Sequence, residues 1–263
     1  MKFAANLSLM YNEWDFLDRI KAAAEDGFRF VECMFPYEHD DEKIRQVADD
    51  AGVSFVLINA PPGNWSNGDR GLAALAERRG DFEASIPLAL RYAKTLGVSR
   101  VHVLAGCPVP ELKAEAAVTY LGNLRQLQAM RPHDQFCWLI EPLNQRDVPG
   151  YLLSSQAQAH DWIEQCGNEG LGVQMDLYHC QVSEGDIVSK LKAYLPTGRV
   201  KHLQIAGAPE RLEPDLGELN YSRIFQELEL LNYNGFVGCE YKPKANTRDG
   251  LGWRENLGIS GKM

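Results

Sequence analysis

The 263-residue chain has no unbroken apolar run of about eighteen residues, the length a membrane-spanning helix needs. Its opening, MKFAANLSLMYNEWD, turns polar too early for the apolar core of a secretory signal. None of the six cysteines (33, 107, 137, 166, 180 and 239) forms a CxxC pair, and most lie inside apolar runs. That pattern argues against zinc and disulfides and for buried thiols in a reducing cytoplasmic compartment. No GxGxxG follows the first apolar run, which counts against a dinucleotide-binding Rossmann domain. Basic residues are also in short supply: 27 Lys and Arg stand against 36 Asp and Glu, a net charge of −9. An acidic surface repels phosphate backbones, so nucleic acid is excluded as a partner.

What the chain does contain is alternation. Short β-rich runs lie at Phe3–Leu9, Arg29–Phe35, Ser54–Asn59, Arg100–Ala105, Phe136–Glu141, Gly172–Asp176, Val200–Ile205 and Phe236–Tyr241. The stretches between them read as helices over Glu13–Glu25, Asp41–Ala51, Phe82–Leu96, Glu111–Met130, Gln156–Gln165, Glu184–Tyr194 and Tyr221–Leu231. Asn12 and Asn220 stand where N-caps belong, and Gly27, Gly52 and Gly97 stand just past helix ends. Alternating β and α units build a parallel sheet. Eight such units in this length, with no linker or low-complexity break, predict an α/β fold: one (β/α)8 TIM barrel domain over 1–263.

Four polar residues close apolar runs: Glu141 in FCWLIEP, Asp176 in LGVQMDLYH, Gln204 in VKHLQIAG and Glu240 in GFVGCEYKP. A buried strand has no structural use for a carboxylate at its end, and an unpaired one costs several kcal/mol. Side-chain alternation puts Glu141 in phase with Leu139 and Cys137, and Glu240 in phase with Gly238 and Phe236. Both therefore point to the barrel mouth, not the helix layer. Four oxygen-bearing side chains on consecutive strands suggest a shared divalent ion, Mg2+ or Mn2+ in preference to Zn2+. The alternative is a set of hydrogen bonds to backbone and Lys242.

Other polar groups surround this set. Asn6, Glu32, Asn59 and His102 lie at the first four runs, His179 follows Asp176, Lys242 follows Glu240, and Arg211 rides on the loop after the seventh run. Glu32 is expected to pair with a neighbouring cation, while His39, His133 and His160 read as surface. Two loops, Ala60–Gly80 and Gly207–Leu219, are longer than connection requires and follow strands. Both belong on the face where active sites of this fold lie, as candidate lids, with Trp65 packing over a pocket.

The motifs FAANLSLMYNE, VECMFPYEHD, LIEPLN, MDLYH, HLQIAGAPER, EPDLGELNY and GFVGCEYKP resemble the hydroxypyruvate isomerase family, part of the xylose isomerase-like TIM barrels. The resemblance runs from about residue 3 to residue 253. It implies that Glu141 and Glu240 are the acid–base pair, and that both bind the metal with Asp176 and Gln204. Related sugar epimerases carry His where Gln204 stands, a departure that argues against a ketose 3-epimerase. The family holds two activities, on hydroxypyruvate and on 2-oxo-tetronate, one carbon longer. The resemblance places hydroxypyruvate first and 2-oxo-tetronate as the alternative.

A carbonyl shift needs a proton taken from one carbon and returned to its neighbour, through an enediolate that a divalent ion stabilises. The partner is thus a small hydroxy-keto acid. Arg211, Lys242 and His179, with His102, are the candidates to hold its carboxylate. An apurinic-site endonuclease would need a His-rich zinc cluster and a basic surface, and a non-catalytic sugar-acid binding protein would not need Glu141 and Glu240. No membrane is implied, and the reading leaves a homo-oligomer open.

Overall fold

In the computed structural model, which describes residues 1–167 and 169–259, eight parallel strands close on themselves in chain order. They are β1 Lys2–Asn6, β2 Phe30–Cys33, β3 Ser54–Asn59, β4 Arg100–His102, β5 Cys137–Ile140, β6 Leu171–Asp176, β7 Val200–Ile205 and β8 Phe236–Cys239. Closure comes from β8 pairing with β1, with Ala4 opposite Gly238. The helices that return the chain are α1 Phe16–Glu25, α2 Asp41–Ala51, α3 Arg79–Leu96, α4 Lys113–Ala129, α5 Gln156–Cys166, α6 Leu177–Ser183, α7 Ile187–Tyr194 and α8 Tyr221–Leu230, followed by short α9 Thr247–Gly250 and α10 Trp253–Asn256. The TIM barrel predicted from the alternation is the observed fold.

The expected caps hold where a side chain is free to act. Asn220 accepts from the Arg223 N–H, and Gly52 and Gly97 adopt left-handed φ values of 69° at the ends of α2 and α3. Asn12 does not cap α1. Its amide donates to the Leu9 carbonyl, and Glu13, expected inside the helix, instead holds the Thr247 backbone N–H and hydroxyl. Helix α1 starts later, at Phe16, with Asn12 closing a local turn and Glu13 drawn into a long-range contact. The helix expected over Glu184–Tyr194 is α7, which starts three residues later; a further helix that the sequence did not suggest, α6, springs directly from Asp176, and Gly185 and Asp186, both at positive φ, separate the two.

The barrel interior is stratified. At its N-terminal end Phe30 and Phe236 meet edge to face at 4.8 Å and, with Ala4, Val56, Leu57, Cys137 and Leu139, form an apolar plug. Above the plug the inward positions turn polar: Glu32, His102, Gln174 and His202, then Asn6, Glu141, Asp176, Gln204 and Glu240. The plug fills one end of the barrel, the larger apolar core packs between strands and helices, and the polar end carries the candidate site.

His160 is not on the surface. It is buried on α5, its ring stacked 4.0 Å from Tyr194 of α7, and neither nitrogen has a hydrogen-bond partner. Burial lowers its pKa from 6.5 to about 4. An imidazole held neutral in the fold supports stability fully above about pH 6.5, and that support is lost as pH falls toward 4. We expect His160→Phe to unfold at a higher temperature than the parent by a margin that widens between pH 7 and pH 5, read by calorimetry; a constant margin would rule out the buried neutral ring.

Candidate active site

Strand ends bring the four predicted residues together. Asp176 closes β6 and lies directly opposite Gln204 of β7. Glu141 and Glu240 follow the last residues of β5 and β8. All four are buried, and their phase is the one alternation predicted: Leu139 and Cys137 lie inside with Glu141, while Cys239 packs outward into the main core. Glu141, Asp176 and His179 place one ligand atom each within 4.8 Å of one another.

Crowding three carboxylates in a dry site changes their acidity. Burial raises the Glu141 pKa well above the usual range, and repulsion from Glu240 and Asp176 adds to it. Burial likewise raises Asp176, against the opposing pull of Arg211, and takes Glu240 to about 8. These are the conditions under which a carboxyl group can carry a proton near neutral pH.

The four expected substrate contacts divide. Arg211 belongs to the cluster: its Nη2 pairs with Glu240 Oε2 and lies 3.4 Å from Asp176 Oδ2, and its Nε donates to the Glu240 carbonyl at 3.2 Å. Its backbone holds φ at 60°, a left-handed value that is strained for a side chain as large as this one. His179 Nε2 faces Asp176 Oδ2 at 3.8 Å, and its Nδ1 receives the Asn144 backbone N–H at 3.1 Å. An Nδ1 that accepts leaves the ring proton on Nε2, and burial keeps the ring neutral. His179 therefore offers a neutral donor to the site, in place of the cation expected from sequence. His102 Nδ1 is 3.4 Å from Glu141 Oε2, and burial lowers its pKa to about 3. Lys242 is exposed and makes no side-chain hydrogen bond or ion pair among the described residues, so it does not join the cluster.

Sequence reasoning passed over the layer beneath. Gln174 Nε2 donates to Glu141 Oε2 at 2.8 Å and to Gln204 Oε1 at 2.6 Å. Glu32 accepts from Asn6, Gln204 and His202. Glu32 was expected to pair with a neighbouring cation; its partners are two amides and the imidazole of His202, 2.7 Å away. The missed residues carried a signal: Gln174 and His202 stand two positions before Asp176 and Gln204, and share their inward phase.

The donor set fits a divalent ion bound by oxygen. Glu141 Oε1 is buried without a hydrogen-bond partner, Asp176 and His179 each bring a ligand atom within 4.8 Å of the Glu141 carboxylate, and Gln204 and Glu240 end the neighbouring strands, Gln204 opposite Asp176 and Glu240 joined to Asp176 through Arg211. A bound cation would take the uncompensated carboxylate charge that Arg211 here meets in part.

Both long loops are tied down. In the second, Gly207 N–H donates to the Leu212 carbonyl and Glu218 N–H to Ala208, each at 2.8 Å, while Lys242 N–H holds the Arg211 carbonyl. In the first, Ala74 N–H bonds to Ala105, and Trp65 packs on Phe35 and under Arg70, whose guanidinium lies 4.0 Å from the ring.

A family model described as xylose isomerase-like TIM barrel matches residues 20–257. A 2-oxo-tetronate isomerase of Cupriavidus necator is 49% identical over 253 residues, covering 96% of each chain. The hydroxypyruvate isomerase of Escherichia coli is 39% identical over 256 residues, covering 97% of this chain and 98% of its own. The crystal structure of a family 2 AP endonuclease from Brucella melitensis superposes with a TM-score of 0.93 at 38% identity, covering 97% of this chain and 98% of that one.

Removing the guanidinium should expose the cost of the crowded carboxylates. We expect Arg211→Met, in EDTA at pH 7, to lose roughly 1–3 kcal/mol of stability in urea unfolding, the scale of leaving buried charge unpaired. An unchanged midpoint would show that Asp176 and Glu240 do not depend on Arg211.

Proposed function

Since this chain belongs to the xylose isomerase-like TIM barrel family and is an isomerase, we propose that it moves a carbonyl group by one carbon along a short 2-oxo hydroxy acid, with Glu141 and Glu240 as base and acid. The observation that carries the proposal is the pair itself: two glutamates, buried at strand ends, each with its pKa raised by burial. Of the two chain lengths, the four-carbon 2-oxo-tetronate is the better supported, because a relative 49% identical bears that name. Hydroxypyruvate is the second reading, on the 39% identical relative.

In the forward direction a carboxylate takes the proton from C3 of the 2-oxo acid. The electron pair shifts to form a C2–C3 enediolate, and a proton returned to C2, with the hydroxyl proton passing from the C3 oxygen to the C2 oxygen, leaves the carbonyl at C3. In reverse the two glutamates exchange roles. Glu141 has one oxygen held by Gln174 and the other unpartnered, so a single oxygen is free to exchange a proton. Arg211 and the Nε2–H of His179 bring donors to the site, where they can meet the negatively charged oxygens of the substrate. Glu141, Asp176, Gln204 and Glu240 would hold a divalent ion, Mg2+ or Mn2+, whose chemistry there is to stabilise enediolate charge.

The likeness to an AP endonuclease structure does not carry a DNA-cleaving reading. A net charge of −9 opposes phosphate binding, and among the described residues the cluster includes one histidine, His179. No described helix is long and apolar enough to cross a membrane, and all six cysteines are free thiols, which supports a place in the cytoplasm.

Two measurements test the proposal. Isomerisation of 2-oxo-tetronate and hydroxypyruvate would be followed side by side by NMR; we expect both turnovers to vanish in EDTA and return with Mn2+ or Mg2+. Turnover of neither substrate would reject the reading. Glu141→Gln and Glu240→Gln keep side-chain size and remove the proton-accepting charge. Each should lower kcat by at least ~100-fold, the scale of general acid–base catalysis. Near-normal kcat in either, at matched metal content, would remove that residue from its role.

A further inference from the structure

Beneath the strand-end carboxylates lies a line of side chains that the proton transfers do not use. Glu32 is fully buried at its centre. Its Oε1 accepts from Asn6 Nδ2 at 3.0 Å and from Gln204 Nε2 at 2.8 Å, and its Oε2 lies 2.7 Å from His202 Nε2. Gly238 of β8 makes the room, since a Cβ there would come within 2.4 Å of the Glu32 carboxylate. The line extends both ways. Asn6 Nδ2 also reaches Glu240 Oε1 at 3.2 Å. Gln204 Oε1 accepts from Gln174 Nε2, which in turn donates to Glu141 Oε2. Glu240, Asn6, Glu32, Gln204, Gln174 and Glu141 thus form one unbroken chain of hydrogen bonds across the barrel.

A carboxylate accepts and never donates, whereas a carboxamide can do either by turning over. The end carboxylates, Glu240 and Glu141, take N–H groups from Asn6 and Gln174, but Gln204 bonds to neither of them among the described residues and could stand either way round. One acceptor-only group at the centre removes the ambiguity: every neighbour must turn an N–H toward it. For Gln204 that means nitrogen toward Glu32 and carbonyl oxygen away from it. We infer that Glu32 is a positioning residue that sets the donor and acceptor sense of this line, so that Gln204 presents its oxygen, not its amide N–H, to the cation site. The inference rests on the reading of Glu141, Asp176, Gln204 and Glu240 as holders of a divalent ion.

The test is isothermal titration of Mn2+ into the metal-free full chain, with thermal unfolding alongside. Glu32→Gln keeps the shape and destroys the acceptor-only character, so Gln204 can turn over. We expect its Kd for Mn2+ to weaken by about 10- to 100-fold, the range for groups that orient metal ligands. Glu32→Asp keeps the acceptor sense and should bind more tightly than Glu32→Gln. If Glu32→Gln does not fold, Glu32→Met, which removes the acceptor without adding a donor, takes its place and should weaken Mn2+ comparably. A folded variant with the parental Kd overturns the inference, even if its unfolding temperature drops, because that is a structural role alone. Parental protein that binds no Mn2+ overturns the metal reading itself, and this inference with it.

Discussion

Three carboxylates share the buried mouth of this barrel, and much of the surrounding structure answers that one electrostatic problem. Desolvation penalises each charged form, and the carboxylates penalise one another. Arg211 supplies one compensating cation at Asp176 and Glu240. Amide donors from Asn6 and Gln174 supply more. What remains is Glu141 Oε1, buried and unpartnered. On the function proposed above, a divalent ion and an enediolate-forming substrate would meet that oxygen in charge and in chemistry.

The stratified interior makes that arrangement affordable in conformational terms. An apolar plug at the N-terminal end closes the barrel without polar atoms, so the strand ends can be devoted to function. Between plug and mouth, the Glu32 layer acts as a rigid mount. Its members come from β1, β2, β6 and β7, so the orientation of each amide depends on strands far apart in the chain. The loops above are equally fixed. Arg211 sits at positive φ on a loop tied to itself and to the chain beyond β8, which directs its side chain inward. The sequence suggested lids for these loops, and in the structure both carry backbone hydrogen bonds to themselves and to neighbouring segments.

Some features were legible because their signal is local. A polar residue that ends an apolar run, as Glu141, Asp176, Gln204 and Glu240 do, is visible without knowing the fold, and period-two alternation then says which way it points. Caps such as Asn220 and Gly52 are read in the same way. The failures are nonlocal. Asn12 and Glu13 look like a helix start until Thr247, 234 positions from Glu13, takes the carboxylate. His160 looks like a surface histidine until Tyr194 covers its ring. Gln174 and His202 share the inward phase of Asp176 and Gln204, but that local signal does not say which distant groups they meet.

The sequence by itself determined the alternation of strand and helix, the barrel class, the inward phase of the strand-end residues and the acidic, thiol-bearing character of the chain. These follow from short-range periodicity and from composition, which no tertiary contact alters. Tertiary structure alone decided which polar groups meet. Glu32 and His202 are 170 positions apart and touch only because closing the barrel carries β2 and β7 to the same interior layer. The neutral His179 and the placement of Arg211 were decided at the same level, by burial and by the path of one loop. Protonation and hydrogen-bond sense depend on the distance to neighbours and on the exclusion of water, and neither exists until the barrel has closed.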